Sequence, residues 1–187
     1  MENELTKLLE NFNPQGAQEI SDLKIFKEFA QNPRNLTRES LAHFTASAFV
    51  LNKRHDKALA IFHKIYQSWG WMGGHADGDS DLLAVALKEV REESGLINLV
   101  PVSTKPISIE DIPVFGHVHR THGYVSAHLH LNVTFLLEAD ENEALHKNEE
   151  ETGGVAWIPL MDFVDKSSEE EMKIIYQKII SRINVIK

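Results

Sequence analysis

None of the 187 residues is cysteine. Disulfides, thiolate zinc sites and cysteine nucleophiles are therefore excluded together. No apolar run approaches the roughly 18 residues that a membrane-spanning helix needs. The opening residues Met1-Glu2-Asn3-Glu4-Leu5-Thr6-Lys7 lack the basic stretch and apolar run of a signal peptide, so a cytoplasmic protein is expected. Positive charge is scarce: 19 Lys and Arg stand against 28 Asp and Glu, a formal net charge of −9. Such a chain suits neither nucleic acid in general nor an anionic membrane. A phosphate substrate stays open, because bound cations invert the local field. Repeats, low-complexity tracts and long linkers are also missing. What is present, 42% hydrophobic and 25% charged residues, describes a soluble globular protein with enough chain for one moderate domain.

The most informative stretch is residues 73 to 96. Gly73-Gly74-His75 opens a turn, Asp79 or Ser80 can cap a helix over residues 81 to 94, Asp81 suits its positive end, and Gly95 closes it. Leu83, Ala86, Leu87 and Val90 are its expected core stripe. Glu89, Glu92 and Glu93 stand at i, i+3 and i+4 and share one face. Like charges at these spacings repel by a few tenths of a kcal/mol per pair, and a helix C-terminus disfavours anions further. A bound divalent cation reverses each of these terms, and clustered carboxylates suit a hard ion such as magnesium. A solvated acidic face, softened by Lys88 and Arg91, explains the charges equally well; the glycine turn, which lets backbone approach a ligand, tips the balance toward a site.

These residues resemble the Nudix box of the Nudix hydrolases, which reads G, five residues, E, seven residues, R-E-U-x-E-E-x-G-U, with U aliphatic. Gly74 takes the first position, and Glu89, Val90, Glu92, Glu93, Gly95 and Leu96 fill the tail at the right spacing. Ser80 stands where the pattern has Glu, and Lys88 where it has Arg. The resemblance implies an α/β fold, a Nudix-like α/β/α sandwich with a mixed β-sheet.

Around the box, Leu5, Leu8, Leu9 and Phe12 form a helical stripe, broken at Asn13-Pro14-Gln15-Gly16. A second helix is expected from 17 to 31, with Ile20, Leu23, Phe26 and Phe29 on its apolar side. Residues 1–36 thus form an N-terminal helical extension that packs on the domain of residues 37–187. Strands are expected at 41 to 52 and 58 to 66, with His63 structural, and the prolines between Leu99 and Phe115 suggest edge strands. Residues 128 to 139 read as a central strand and 155 to 160 as a short closing one. Ser168 and Glu171 have capping-box spacing at the start of a helix over 169 to 184.

Five histidines, His117, His119, His122, His128 and His130, crowd a turn at Thr121-His122-Gly123. A transition-metal site, a polar cleft lining and substrate contact are three readings; the polar lining leads, because no metal-ligand spacing recurs. For substrate contact, imidazoles and Arg120 can donate to phosphate oxygens. His75, Arg120, His128 and His130 are the expected substrate-binding residues.

The resemblance implies hydrolysis of a nucleoside diphosphate linked to another moiety by water attack on phosphorus. It places magnesium, or manganese, on Glu89, Glu92, Glu93 and the Gly73 carbonyl. Glu92 or Glu151 takes the water proton, and Glu92, Glu93 and Glu151 are the expected catalytic set. Glu151 is chosen by its place before the closing strand; a surface acid is the competing account. The partner is a small nucleotide-type substrate, with no membrane and no nucleic acid, and a homodimer stays open. The two departures from the box leave a second reading, a Nudix-fold nucleotide-binding or regulatory domain without turnover. An isoprenoid isomerase on the same fold would be expected to use a cysteine, and decapping of RNA a basic track; neither is present.

Overall fold

A strand buried at every one of its 11 positions, β1 (Ala42–Asn52), lies at the centre of the architecture. The computed structural model describes residues 4–119, 123–147 and 152–186. In chain order they form α1 (Glu4–Glu10), α2 (Gly16–Phe29), a short 3-10 turn (Pro33–Leu36), β1, β2 (Lys57–His63), β3 (Ser68–Gly70), β4 (Met72–His75) and α3 (Leu82–Ser94). There follow β5 (Val100–Pro101), β6 (Ser108–Val114), β7 (His117–His119), β8 (Gly123–Val125), β9 (His128–Ala139), β10 (Thr152–Pro159), α4 (Phe163–Lys166) and α5 (Glu170–Ile186). The main sheet runs β10-β2-β1-β9-β5, with β3 on β2, β4 on β1 and β6 on β9. β1 and β9 pair in parallel over their full length while the other pairs are antiparallel, so the sheet is mixed. β7 and β8 form a separate hairpin.

Side chains alternate across a strand, and here the alternation divides two chemistries. Phe44, Ala46, Ala48 and Val50 of β1 join Leu131, Val133, Phe135 and Leu137 of β9 in one apolar core, completed by α1, α2 and α3. Phe26 of α2 meets Phe44 edge to face at 5.6 Å, so the N-terminal helices pack on the sheet as expected. The opposite face carries Phe49 and Leu51 under α4 and α5 at one end. Toward its other end that face is polar. Thr45 and Ser47 both donate to Asn132 Oδ1, at 3.0 and 2.8 Å, and Asn132 donates to Thr134.

Some expected details shift. Ile20 of α2 is 47% exposed, because Glu19 and Asp22 turn inward instead. Glu19, 2% exposed, receives both guanidinium nitrogens of Arg182 at 2.8 and 2.9 Å and Lys178 Nζ at 3.2 Å, joining α2 to α5. Its burial opposes ionisation, but Arg182, the Gln15 amide and Lys178 outweigh that and hold the carboxyl below its ordinary range. The α5 helix starts at Glu170, not 169; Ser168 donates to the Gln67 carbonyl, and the Ser167 hydroxyl accepts the Glu169 amide in its place. His63 ends β2 and its Nδ1 accepts from the Ile65 amide, a turn role. Among the described residues, no helix is long and apolar enough to cross a membrane.

Candidate active site

Local chemistry fixes α3. Asp81, rather than Asp79 or Ser80, is its N-cap, accepting the Ala84 amide at 3.0 Å, while Asp79 accepts the amide of Asp81. Gly95 ends the helix at φ 76°, where a side chain would be strained. The buried arc consists of Leu82, Val85, Ala86, Val90, Glu93 and Ser94; Leu83 and Leu87, expected in the core, are only half-buried. The helix has turned so that Glu93 faces β4.

That rotation distributes the three carboxylates unequally. Glu93 is 7% exposed and its Oε2 accepts the Gly73 amide at 3.2 Å. Glu89, with a side chain 17% exposed, lies against Gly74 so closely that a Cβ there would sit 2.3 Å from its Cδ. Glu92 faces outward, its side chain 55% exposed. Lys88, in the position of the pattern's arginine, stands 3.7 Å from both Glu89 Oε1 and Glu92 Oε2. An ammonium at that range neutralises charge without the planar fork that would orient Glu89. Gly73 is equally confined: a Cβ would meet Ser47 Oγ at 2.4 Å and the Ala46 carbonyl at 2.7 Å. Both glycines are thus required by close approach. Hydrogen bonding places Gly73 opposite Ser47 and Gly74 opposite Ala46. The donor set that results is all oxygen, the chemistry a hard divalent cation takes.

The histidines gather differently from expectation. His128 and His130 do share a face, but their neighbours are His43 of β1 and His75 of β4, not His117, which sits on β7 with Nδ1 2.9 Å from the Phe115 carbonyl. His119 also belongs to β7, and His122 lies outside the described residues, as do Arg120 and Glu151. Sheet register makes the cluster: His43 pairs with His130, His75 pairs with Thr45, and β9 supplies His128 two residues away on the same face. One potential ligand atom from each of the four rings lies within 4.8 Å of the others, and the three glutamates are not part of this group. Burial, with Arg38 and the other rings adding to it, brings His75 down to about 4; burial and the neighbouring imidazoles bring His130 down to about 2, and burial also lowers His43. Burial thus favours the neutral form of His43, His75 and His130. Arg38, half exposed, is held bidentately by Asp77 at 2.8 and 2.7 Å beside them.

His43 was legible as a strand residue but not as a member of this group, because its partners lie 32, 85 and 87 positions away in sequence. The only local signal is its alternation with Phe44, which puts it on the polar face.

The model of the NUDIX domain matches residues 41–180. Among solved structures, a NUDIX-family hydrolase from Clostridium perfringens is 19% identical, aligned over 75% of this chain and 97% of its own, with a TM-score of 0.51. An Ap4A hydrolase from C. elegans is 15% identical over 75% and 97%, TM-score 0.53. The dihydroneopterin triphosphate pyrophosphohydrolase of E. coli is 12% identical over 73% and 94%, TM-score 0.55. At such identities the likeness is one of fold. No curated protein matches the chain.

Proposed function

The chain belongs to the NUDIX family, and from that premise we propose that it is a metal-dependent pyrophosphohydrolase of nucleoside diphosphates linked to another moiety, in which Glu89, Glu92 and Glu93 hold the ions. The observation that carries this reading is the glycine pair: Gly73 and Gly74 let β4 lie directly against Glu93 and Glu89. A pyrophosphate is strongly anionic, so carboxylates can serve it only through cations. Magnesium, or manganese, on these three glutamates and the Gly73 carbonyl would polarise the phosphoryl group and lower the pKa of water.

The protein's own residues do the rest. The Gly73 amide fixes one oxygen of Glu93. Glu92, the most exposed of the three, is one candidate to take the proton from an attacking water, and Glu151 is the other. Lys88 balances the charge of Glu89 and Glu92. His75, Arg120, His128 and His130 are the substrate-binding residues in this reading. The Ap4A hydrolase and the dihydroneopterin triphosphate enzyme suggest nucleotide-type compounds as the first substrates to test.

One observation favours the alternative, a nucleotide-binding domain without turnover. Ser80 replaces a carboxylate, and the flanking Asp79 and Asp81 are both engaged with backbone amides of the turn. Hydrolysis of a panel of nucleotide sugars, dinucleotides and nucleoside triphosphates in magnesium decides between them. Turnover on any member supports the hydrolase; binding without turnover, together with unchanged Mg²⁺ affinity in Glu93→Gln, supports the alternative.

A further inference from the structure

We propose that His43, His75, His128 and His130 form a transition-metal site, suited to zinc, separate from the carboxylates of α3. All four rings project from strands, three of them tied into the sheet by the β1–β9 and β1–β4 ladders, so their convergence is set by rigid backbone. Two rings have a defined tautomer. His43 Nδ1 lies 2.9 Å from the Ser40 carbonyl and His128 Nδ1 lies 2.9 Å from the Ser126 carbonyl. A carbonyl only accepts, so each Nδ1 carries a hydrogen, which leaves each Nε2 as the nitrogen available to a ligand. Protein groups can satisfy one of them, since His128 Nε2 is 3.1 Å from His130 Nε2 and can accept a hydrogen from it. They leave the other: His43, 2% exposed, has a buried Nε2 with no hydrogen-bond partner. An orphaned buried acceptor in a native structure calls for a partner, and a metal ion, which takes up a lone pair, is one that four converging imidazoles would hold together.

Zinc meets that requirement. Imidazole carbonyl pairs such as these are the outer shell that orients metal-binding histidine. Tetrahedral zinc with bonds of about 2.0–2.1 Å separates its nitrogens by about 3.3 Å, close to the 3.1 Å between His128 and His130. The other ligand atoms of the group lie within 4.8 Å of one another. Arg38 lies beside the site, and Asp77, which holds it bidentately, offsets part of its positive field. Nitrogen and oxygen donors also sort the metals: four imidazoles select zinc or cobalt, while the glutamates select magnesium.

The test uses the full chain stripped with a chelator and titrated with Co²⁺ and then Zn²⁺ in excess Mg²⁺. One equivalent of Co²⁺ with the visible absorption of a tetrahedral site is expected, displaced by Zn²⁺. Glu92→Gln and Glu93→Gln should retain the signal, whereas His43→Gln or His130→Gln should weaken Zn²⁺ binding by at least about a hundredfold. If either histidine variant fails to fold by circular dichroism, X-ray absorption of the zinc-loaded wild type decides, with a shell of nitrogen neighbours expected. No tetrahedral spectrum, an oxygen-dominated shell, or loss of the signal in the glutamate variants overturns the proposal. Hydrolysis in Mg²⁺ is read separately, so loss of the zinc site leaves the glutamate site standing, whereas a confirmed zinc site removes His75, His128 and His130 from substrate contact.

Discussion

Gly73 donates its amide hydrogen to Oε2 of Glu93, 3.2 Å away, across the seam between β4 and α3. The bond requires no charge on the acceptor, since a carboxamide oxygen accepts equally well. Glu93→Gln should therefore fold as the wild type does while its Mg²⁺-dependent hydrolysis falls by about a hundredfold to ten-thousandfold. Glu92→Gln should behave alike. Rates within a few fold of wild type, measured alongside circular dichroism, would refute the assignment.

The two glycines make separable predictions. At Gly74 an added methyl meets the far end of the Glu89 side chain, which can swing away. Gly74→Ala should keep most of its stability and lose activity as Glu89 leaves its place. At Gly73 the methyl meets backbone of β1, the Ala46 carbonyl, which cannot. Gly73→Ala should lose about 1–3 kcal/mol in urea unfolding, as overpacking does. Equal effects of the two on stability would show that Glu89 is not held where it stands.

How much of this was readable beforehand differs by element. The box, the helix and its glycine cap are local in sequence, and their periodicity placed all three glutamates on one face. Which of them is buried was not readable, because α3 is rotated by its packing on β4 and that rotation decided between Leu87 and Glu93. The apolar side of α2 was misjudged at Ile20 for a similar reason: the partner of Glu19 is Arg182, far along the chain. His43 and His75 joined the cluster through pairings no local pattern encodes.

Ser80 stands half-buried, next to two aspartates already engaged in the turn. Ser80→Glu restores the pattern's carboxylate and should leave activity intact or raised in the substrate panel. A folded but inactive Ser80→Glu enzyme would show the box to be misplaced.

Asp111 is raised to about 6, by burial first and by Asp22 second, and its Oδ1 is buried without a hydrogen bond. A carboxyl whose folded pKa lies above its unfolded value contributes stability in its protonated form, present below about 3.9 and lost as pH rises through about 6. Asp111→Asn, which cannot ionise, should raise the melting temperature at pH 8, and the gain should shrink as the pH is lowered to 4. A gain independent of pH would point to packing rather than charge.

Arg182, 8% exposed, is the main counterion of buried Glu19. Removing one partner leaves a charge in the interior, so Arg182→Met should cost about 3 kcal/mol, with Lys178 limiting the loss. Urea denaturation measures it, and a change under about 0.5 kcal/mol would mean that the network is not felt in the folded state.

The pairing of β1 with β9 is in register from Ala42↔Leu129 to Asn52↔Ala139, so two neighbours at the middle of the sheet are separated by nearly half of the polypeptide. Synthesis runs from the N-terminus, and the first of these strands leaves the ribosome long before its companion exists. During that interval a strand that is buried at every position in the folded protein has no mate on one flank, and closing so large a loop slows the search. Longer engagement of chaperones during translation, and aggregation of fragments ending before residue 128 as read by light scattering, are therefore expected.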